Sequence, residues 1–465
     1  MNDAPVYRWS ARQAVSAMSA GQITAVEYAQ SLLERAEAHS TLNAFVTLEN
    51  EHVLAEARRS DVIGPLAGLP IAFKDAIGTN QLPTTAATLS FGGHIPQKDA
   101  AVVASLRAAG AYVFGKLNMH ELSYGITSNN AATGPVRNPY DMTRIPGGSS
   151  GGAGAAVAAS LVPVAIGTDT GGSVRIPAAL CGTVGFRPTT GRYSQAGIIP
   201  VSHTRDTAGP LARSVDDIAM IDAALSKSED KLSFLGPTDI RLGLPNNHYL
   251  DSMHAETREV FEARLSELTD AGFTLVRVDV AEVKAPMESC GFPIAMWESK
   301  IDLDIYLKEH FGTALELSDL IEAVVSPDVK GVLSGLLAPE FEAIAPAYQD
   351  AINIQRPALQ GAFADCFVQN QLDALIFPTT ILPACLIGED ETVSLNGEDL
   401  PTFPTFIHNT DPGSIAGLPG ISIPGGLTQA GLPVGIELDG PAGRDRHLLS
   451  VAETVERHLP PITQP

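Results

Sequence analysis

The first 60 residues place apolar side chains at helical spacing. They recur at Ala14, Met18, Ile23, Tyr28, Leu32, Leu33 and Ala36, and the pattern ends in a polar stretch near residues 58–59. Apolar residues three or four positions apart line one face of a helix. The segment therefore predicts two or three amphipathic helices.

Two short apolar runs then flank another helical segment. Residues 66–75, LAGLPIAFKD, contain a Gly-Leu-Pro turn followed by a run that ends at Lys74 and Asp75. Residues 99–109 predict a short helix that stops at Gly110, and AYVFGKL follows as a second strand. This order of strand, helix and strand is typical of α/β folds.

The middle of the chain, residues 215–360, is more helical and more acidic. It contains DDIAMIDAAL, ETREVFEARLSELTDAG and the stretch at 297–311. Strand-like runs return after Asp373 as ALIFPTT, PGISIPGG and LPVGIELDG. Strands at both ends around a helical centre predict one large sheet closed by distant parts of the chain, with two lobes as the alternative.

Composition limits the partners that the chain can have. With 465 residues, 45% of them hydrophobic and 18% charged, the chain can bury a substantial core. Its 30 basic and 53 acidic residues leave a formal charge of −23, which opposes nucleic-acid phosphates and anionic membranes. We therefore expect neither nucleic acid nor a membrane as a partner.

The spacing of the cysteines is typical of a protein in a reducing compartment. Neither the cysteines nor the histidines have the spacing of metal ligands. Cys181, Cys290, Cys366 and Cys385 are scattered, and the eleven histidines are dispersed. The N-terminal segment MNDAPVYRWSARQ lacks the apolar core of a signal peptide. We expect a cytoplasmic protein with no cofactor and no metal.

One uncharged segment is long enough to span a bilayer. Residues 145–168 contain no charged side chain, but they are dominated by Gly, Ala and Ser and include Pro163. Such residues lack the bulky apolar content that drives insertion into a membrane. The segment instead predicts a helix buried in a soluble core.

Three separated elements together meet the needs of acyl transfer without a histidine. They are Lys74 after the apolar run PIAF, the loop GGSSGG at 147–152 and the loop GTDTGGSVR at 167–175. A serine can act as nucleophile and a neutral lysine as base, provided that burial depresses the lysine pKa toward neutrality. A second serine can relay the proton, and Gly171 and Gly172 let successive N–H groups face one oxyanion.

Each of these elements is weak evidence by itself, because Gly-Ser loops are usually linkers. Residues 147–151 also match the GxSxG elbow of α/β-hydrolases, for which His203, His408 or His447 could serve as base. That alternative stays open at this point.

The chain resembles the amidase signature enzymes. Residues 146–192 resemble the signature nearly end to end, and LAGLPIAFKD resembles the strand that carries its lysine. KLNMHELSYG, NTDPGSIAGLPGISIPGG and GLPVGIELDGP are similar too, so the resemblance covers most of the chain except about 225–370. It implies a single α/β/α domain with a central mixed β-sheet covered by helices. The parts would be N-terminal helices (1–60), a catalytic core (61–225), a variable helical region (226–370) and C-terminal strands and a helix (371–465).

The resemblance also implies roles for individual residues. Ser173 matches the acyl-enzyme nucleophile, Lys74 the general base, and Ser149 the bridging serine that follows a cis Gly148–Ser149 bond. The backbone oxyanion hole is matched by Thr170, Gly171, Gly172 and Ser173. Gly148, Asp169 and Arg175 match positions that support these loops in the family.

Within the family, three segments resemble indoleacetamide and mandelamide hydrolases. They are GITSNN at 125–130, PAALCGTVGFRPTTGRY, and SHTRDTAGP at 202–210. This implies a small-molecule amide substrate, an aryl-acetamide, which water converts to the acid and ammonia. Two alternatives stay open: a hydrolase of anilides, carbamates or other bulky amides, and the A subunit of a glutamine-dependent tRNA amidotransferase.

The region at 280–345 does not align with the family. Its aromatic residues Phe292, Trp297, Tyr306 and Phe311 are candidates for an aromatic-lined entrance, with core packing as the alternative. The sequence also leaves a homodimer open.

Overall fold

A computed structural model of the chain describes residues 5–60, 63–228 and 231–465. The first four residues of the N-terminal segment considered above lie outside this part. The described strands are β1 (Phe45–Thr47), β2 (Pro70–Lys74), β3 (Tyr112–Leu117), β4 (Asn129–Asn130), β5 (Gly134–Pro135), β6 (Val164–Asp169), β7 (Val184–Arg187), β8 (Thr207–Ala212), β9 (Arg241–Pro245), β10 (Thr274–Val278), β11 (Ala374–Pro378), β12 (Thr392–Leu395), β13 (Glu398–Pro401), β14 (Gly420–Leu427) and β15 (Pro433–Asp439).

The described α-helices cover both ends and the middle of the chain. They are α1 (Ala11–Ser19), α2 (Ala25–Ala38), α3 (Asn50–Arg59), α4 (Ala101–Ala108), α5 (Gly151–Ala158), α6 (Arg175–Cys181), α7 (Val215–Ser226), α8 (His248–Asp251), α9 (Ala255–Asp270), α10 (Ala281–Phe311), α11 (Leu317–Ala323), α12 (Pro327–Ser334), α13 (Ala345–Asp350), α14 (Arg356–Asn370), α15 (Thr402–Ile407), α16 (Asp411–Ala416) and α17 (Asp445–Arg457). A π-helical turn, Ala351–Gln355, joins α13 to α14.

Eleven of the described strands form one mixed sheet in the order β1-β3-β2-β6-β8-β7-β14-β15-β11-β9-β10. Parallel pairing joins β3, β2 and β6, and also β11, β9 and β10, whereas the strands between them pair antiparallel. β14 and β15 come from the last 50 residues yet pair in the middle of the sheet, next to β7. The prediction of one sheet closed by distant parts of the chain is confirmed.

The N-terminal helices begin where side chains cap them. At α1, the Ser10 hydroxyl accepts the N–H of Gln13 and the Gln13 side chain accepts the N–H of Ser10. At α2, Thr24 and Glu27 make the same reciprocal pair. Such capping boxes satisfy backbone donors that have no partner inside the helix, and they confirm the predicted helical start of the chain.

The uncharged segment at 145–168 lies inside the molecule. It supplies α5 and β6, and every residue of both elements is buried. Glycine and alanine leave α5 thin enough to pack closely against both α6 and β6. No helix in the described ranges has the length and apolar character needed to cross a bilayer.

The predicted helical middle contains two strands that the apolar pattern did not reveal. β9 and β10 pair in parallel and form one edge of the sheet. β9, with the sequence RLGLP, includes a glycine and a proline, and four of the five residues of β10 are only partly buried or exposed. Glycine and proline in β9, and the exposure of β10 as the outermost strand, remove the continuous apolar run by which buried strands are recognised.

Candidate active site

Lys74 is the last residue of β2, and its side chain is fully buried. Its Nζ donates hydrogen bonds to Ser149 Oγ at 2.7 Å and to Thr168 Oγ1 at 2.8 Å. Because β2 and β6 are parallel neighbours, their carboxyl ends meet at one edge of the sheet. The lysine therefore reaches Thr168 across a single strand spacing.

Burial lowers the pKa of Lys74 to about 7, because a buried ammonium group loses its hydration. The negative charges of Asp206 and Asp169 act in the opposite direction. Near neutral pH a large share of the side chain is therefore the neutral amine, which can accept a proton.

The loop before α5 presents Ser149. The Gly148–Ser149 peptide bond is cis, which the family resemblance implied. The Ser149 carbonyl accepts the N–H of His120 at 3.1 Å, and Ser128 Oγ donates to the Gly147 carbonyl at 2.9 Å. These contacts hold the Ser149 hydroxyl toward the lysine.

Ser150 and Thr168 belong to the site but were not found from the sequence. Ser150 Oγ donates to the Thr168 carbonyl at 3.2 Å and accepts the Thr168 N–H at 3.3 Å. The Ser150 N–H donates to the Ser173 carbonyl at 3.3 Å. Ser150 thus ties the strand of Thr168 to the loop of Ser173. Their place inside the two glycine-rich segments, Ser150 in 147–152 and Thr168 in 167–175, was the available signal.

The loop between β6 and α6 folds around the carboxylate of Asp169. Its Oδ1 accepts the N–H of Gly172 at 2.9 Å and its Oδ2 accepts the N–H of Val174 at 3.1 Å. Gly172 has a φ of +137°, and a Cβ there would lie 2.2 Å from Thr410 Oγ1. Only glycine fits this position.

The Gly172 N–H is therefore already bonded to Asp169. In the described part of the chain, the N–H groups of Thr170, Gly171 and Ser173 donate to no protein acceptor. These three remain available to a negatively charged oxygen. Ser173 is half-buried, and its hydroxyl forms no hydrogen bond with the described residues.

Two buried arginines fix Asp169. Arg175 Nε lies 3.1 Å from Asp169 Oδ2, and Arg187 donates to Asp169 Oδ1 at 2.9 Å and to its carbonyl at 2.6 Å. Burial alone would raise the pKa of Asp169, but the two guanidinium charges hold it well below its usual value. Arg175 was predicted to support this loop, whereas Arg187 was not predicted from the sequence.

Asp206 approaches the site from the start of β8. Thr170 Oγ1 donates to its Oδ1 at 2.6 Å, and its Oδ2 accepts the N–H groups of Val201 and Ser202 at 2.8 and 2.9 Å. Burial raises the pKa of Asp206, and these hydrogen bonds oppose that effect. The Thr170 side chain is thus oriented by a carboxylate that also acts on Lys74.

The histidines considered for an α/β-hydrolase elbow have other partners. His203 bonds Asp302 at 2.9 Å, His447 bonds Asp373 at 2.8 Å, and the ring of His408 stacks on that of His248 with centroids 3.8 Å apart. The Ser149 hydroxyl instead faces Lys74. This geometry favours the lysine arrangement over the histidine alternative.

Three of the four candidate entrance aromatics pack in or against one hydrophobic cluster, with Tyr306 buried and Trp297 and Phe311 partly buried. Trp297 stacks on Phe341 with ring centroids 5.4 Å apart, and Tyr306 and Phe311 lie 6.1 and 5.0 Å from Phe91. Phe292 is 65% exposed. Packing within the fold, the alternative to an aromatic-lined entrance, therefore describes Trp297, Tyr306 and Phe311 but not Phe292.

One group among the described residues has the spacing of metal ligands. His203, Glu298 and Asp302 bring ligand atoms within 4.8 Å of one another. Glu298 already accepts hydrogen bonds from Ser202 Oγ at 2.5 Å and from Thr204 Oγ1 at 2.9 Å. These bonds give the carboxylate a structural role in joining α10 to the loop before β8.

Comparisons with known proteins find relatives over most of the chain. The family model described as Amidase matches residues 27–449. An indoleacetamide hydrolase of Agrobacterium vitis is 42% identical over 439 residues, which cover 93% of each chain. A mandelamide hydrolase of Pseudomonas putida is 39% identical and covers 94% of this chain and 89% of its own. A solved structure described as an amidase superposes with a TM-score of 0.85 at 33% identity, over 97% of this chain and all of the other.

Proposed function

The chain belongs to the amidase family and is a hydrolase that acts on amides, and from that premise we propose that it cleaves the primary carboxamide of an arylacetic acid. The products would be the free acid and ammonia. Support for this substrate class comes from the indoleacetamide and mandelamide hydrolases that the chain is similar to over most of its length.

The proposed reaction begins with the neutral amine of Lys74. The amine accepts the proton of the Ser149 hydroxyl. Ser149 in turn accepts the proton of the Ser173 hydroxyl as Ser173 Oγ attacks the amide carbon. The backbone N–H groups of Thr170, Gly171 and Ser173 stabilise the negative oxygen, whereas that of Gly172, also predicted for this role, is held by Asp169. The C–N bond then breaks, the nitrogen leaves with the relayed proton as ammonia, and water hydrolyses the resulting ester of Ser173.

One observation carries this proposal: a fully buried lysine with a pKa of about 7 donates to Ser149 Oγ at 2.7 Å. When Lys74 is neutral, the direction of this hydrogen bond can reverse, so that the Ser149 hydroxyl donates to Nζ. A base with a pKa near neutrality suits general-base catalysis.

The nucleophile is tested by Ser173→Ala, with Ser252→Ala, an exposed serine on another part of the surface, as the matched control. We expect S173A to lose activity by at least about 10³-fold, since removal of a nucleophilic hydroxyl ends covalent catalysis. Ammonia release is measured, and circular dichroism checks the fold. Residual activity above a few per cent in S173A would contradict the assignment.

The substrate class is tested with purified chain on a panel of aryl-acetamides, anilides and carbamates, assayed for product acid and amine. Aryl-acetamides should give the highest kcat/KM. Preference for anilides or carbamates would support the bulky-amide alternative. Activity that requires further subunits would support the amidotransferase alternative. EDTA should leave the rate unchanged.

A further inference from the structure

Two acidic side chains lie behind the active-site loop, inside the protein. Glu437 and Asp439 are two residues apart on β15, and their side chains are 0% and 1% exposed. Alternate residues of a strand point to the same face. Both carboxyl groups therefore meet the same neighbour, Arg175.

Their hydrogen bonding is incomplete. Glu437 Oε1 accepts from Arg175 Nη1 at 3.0 Å, and Asp439 Oδ1 lies 3.7 Å from the same nitrogen. Glu437 Oε2 and both oxygens of Asp439 are buried and accept no hydrogen bond from the described residues. Burying carboxylate oxygens that accept no hydrogen bond costs free energy. This indicates that a proton is bound between the two carboxyl groups.

The two carboxyl groups lie within hydrogen-bonding reach of each other. A Cβ placed on Gly420 of the neighbouring strand would lie 2.4 Å from Asp439 Oδ1 and 2.8 Å from Glu437 Oε1. The absence of a side chain at Gly420 is what lets both oxygens come together there. Two carboxylates repel each other, but one carboxylic acid and one carboxylate form a hydrogen bond.

The charge balance of the cluster requires the same proton. Arg175 and Arg187 are its cations, and Asp169, Glu437 and Asp439 are its acids; all five are buried. Fully ionised acids would leave one unbalanced negative charge in a low-dielectric region, whereas one bound proton makes the cluster neutral.

Other groups that face the cluster do not change this balance. Burial raises the pKa of Tyr249 on α8 and of Cys366 on α14, so both are neutral at physiological pH. Arg205 beside Arg187 is paired with Asp411.

We propose that Glu437 and Asp439 share one proton in the active enzyme and act as positioning residues, since this proton leaves Arg175 bound to Asp169 and so holds the loop that carries Ser173. The inference rests on the proposed function, because it assumes that this loop serves the reaction. The connection is short: Arg175 bonds Asp169, which bonds the N–H groups of Gly172 and Val174.

Loss of the shared proton would add a second full negative charge on the far side of Arg175. That charge would compete with Asp169 for the guanidinium group and loosen the loop. Burial raises the pKa of both carboxyl groups, so the proton is retained at neutral pH and lost on the alkaline side. The pair would therefore set the alkaline decline of kcat.

Glu437→Gln imitates the protonated acid, because its amide can still accept from Arg175 and can donate to Asp439. We expect the alkaline decline of kcat to disappear in E437Q while the acid side of the profile stays in place. Glu437→Leu removes both bonds, and kcat should fall by roughly 10- to 100-fold through misplacement of the loop. Rescue by Gln but not by Leu identifies a positioning role.

The matched control is Glu456→Gln, at the end of α17. Burial also raises the pKa of Glu456, to about 7, but its carboxylate bonds the Val215 N–H far from the loop. E456Q should keep the alkaline decline. If E456Q and E437Q behave alike, or if E437Q keeps the wild-type profile, the proposal is wrong.

A second measurement does not depend on activity. Because the folded pair binds a proton that the unfolded chain releases, the contribution of the pair to the free energy of unfolding should fall as pH rises from about 5 to 9. Measured by urea denaturation, the unfolding free energy of E437Q relative to wild type should therefore rise over this pH range, also in the S173A background. If E437Q does not fold, Asp439→Asn carries the same test from the other carboxyl group.

The outcomes separate the two proposals. If S173A is active and E437Q changes the slope of unfolding free energy against pH, the proposed nucleophile is wrong and the shared proton stands. If S173A is inactive and E437Q leaves that slope unchanged, only the proposal of a shared proton is wrong.

Discussion

Lys74 and Lys116 lie on adjacent parallel strands, and both side chains are fully buried. Burial lowers the pKa of Lys74 to about 7 and that of Lys116 to about 8. Their partners differ. Lys74 donates to two hydroxyl groups, whereas Lys116 lies 3.4 Å from the carboxylate of Asp75 and donates to Thr84 Oγ1 at 2.5 Å.

The difference shows that burial alone does not make a lysine a base. Hydroxyl partners can return a proton to the neutral amine, whereas a carboxylate partner favours the ammonium form and holds it in place. Lys116 is therefore best described as one half of a buried ion pair that fixes the segment after β2, and Lys74 as the group free to exchange a proton.

The largest effect that separates the two lysines is expected from Lys74→Met. Its kcat should fall by about 10³-fold or more, since the general base is lost. The free energy of unfolding should stay level or rise, because a buried amine is replaced by an apolar side chain of similar length. Ammonia release and urea denaturation measure the two effects, and K74M with near-normal kcat would refute the base.

Lys116→Met should instead lower the free energy of unfolding strongly and kcat only weakly. Loss of the cation leaves the buried Asp75 carboxylate without a counter-charge, held only by hydrogen bonds from Thr85 and Ala87, and this costs about 3–5 kcal/mol of unfolding free energy. Urea denaturation measures this loss. At a temperature where the variant is folded, its kcat should fall much less than that of K74M; equal losses would mean that both lysines act in the reaction.

A smaller effect is expected on the pH profile. Wild-type kcat/KM should rise with pH through about 7 as Lys74 loses its proton. The Asp206 charge stabilises the ammonium form, so Asp206→Asn should move this rise to lower pH by roughly half a pH unit.

Thr170→Val is the control for D206N, because it removes the hydrogen bond to Asp206 and keeps the charge. The pH of the rise should then be unchanged. A shift to higher pH in D206N would show that Asp206 does not act on Lys74 through its charge.

Local sequence patterns predicted the elements that carry the chemistry. The apolar run PIAF ends in Lys74 at the carboxyl end of β2, and the glycine-rich loops precede α5 and α6 as expected. The cis Gly148–Ser149 bond followed from the family resemblance and not from the residues themselves. The roles of Ser149 and Ser173 stay predictions.

What the sequence did not reveal is mostly long-range. In LPVGIELDG, acidic and apolar residues alternate, which is typical of a strand with one solvated face. Here helices cover both faces of the sheet, so Glu437 and Asp439 are buried beside an arginine 262 and 264 positions away. No local pattern predicts which strand becomes the neighbour of which loop.

The central position of β14 and β15 has a consequence for biosynthesis. Lys74, Ser149 and Ser173 all emerge early from the ribosome, but the partner of Arg175 on β15 follows only after about 260 more residues. At about 5–20 residues per second, this takes roughly 13 to 50 seconds. During that interval a nascent chain that already holds every proposed catalytic residue lacks the strands that complete its sheet, so we expect hydrolysis to begin only once the C-terminal strands have inserted.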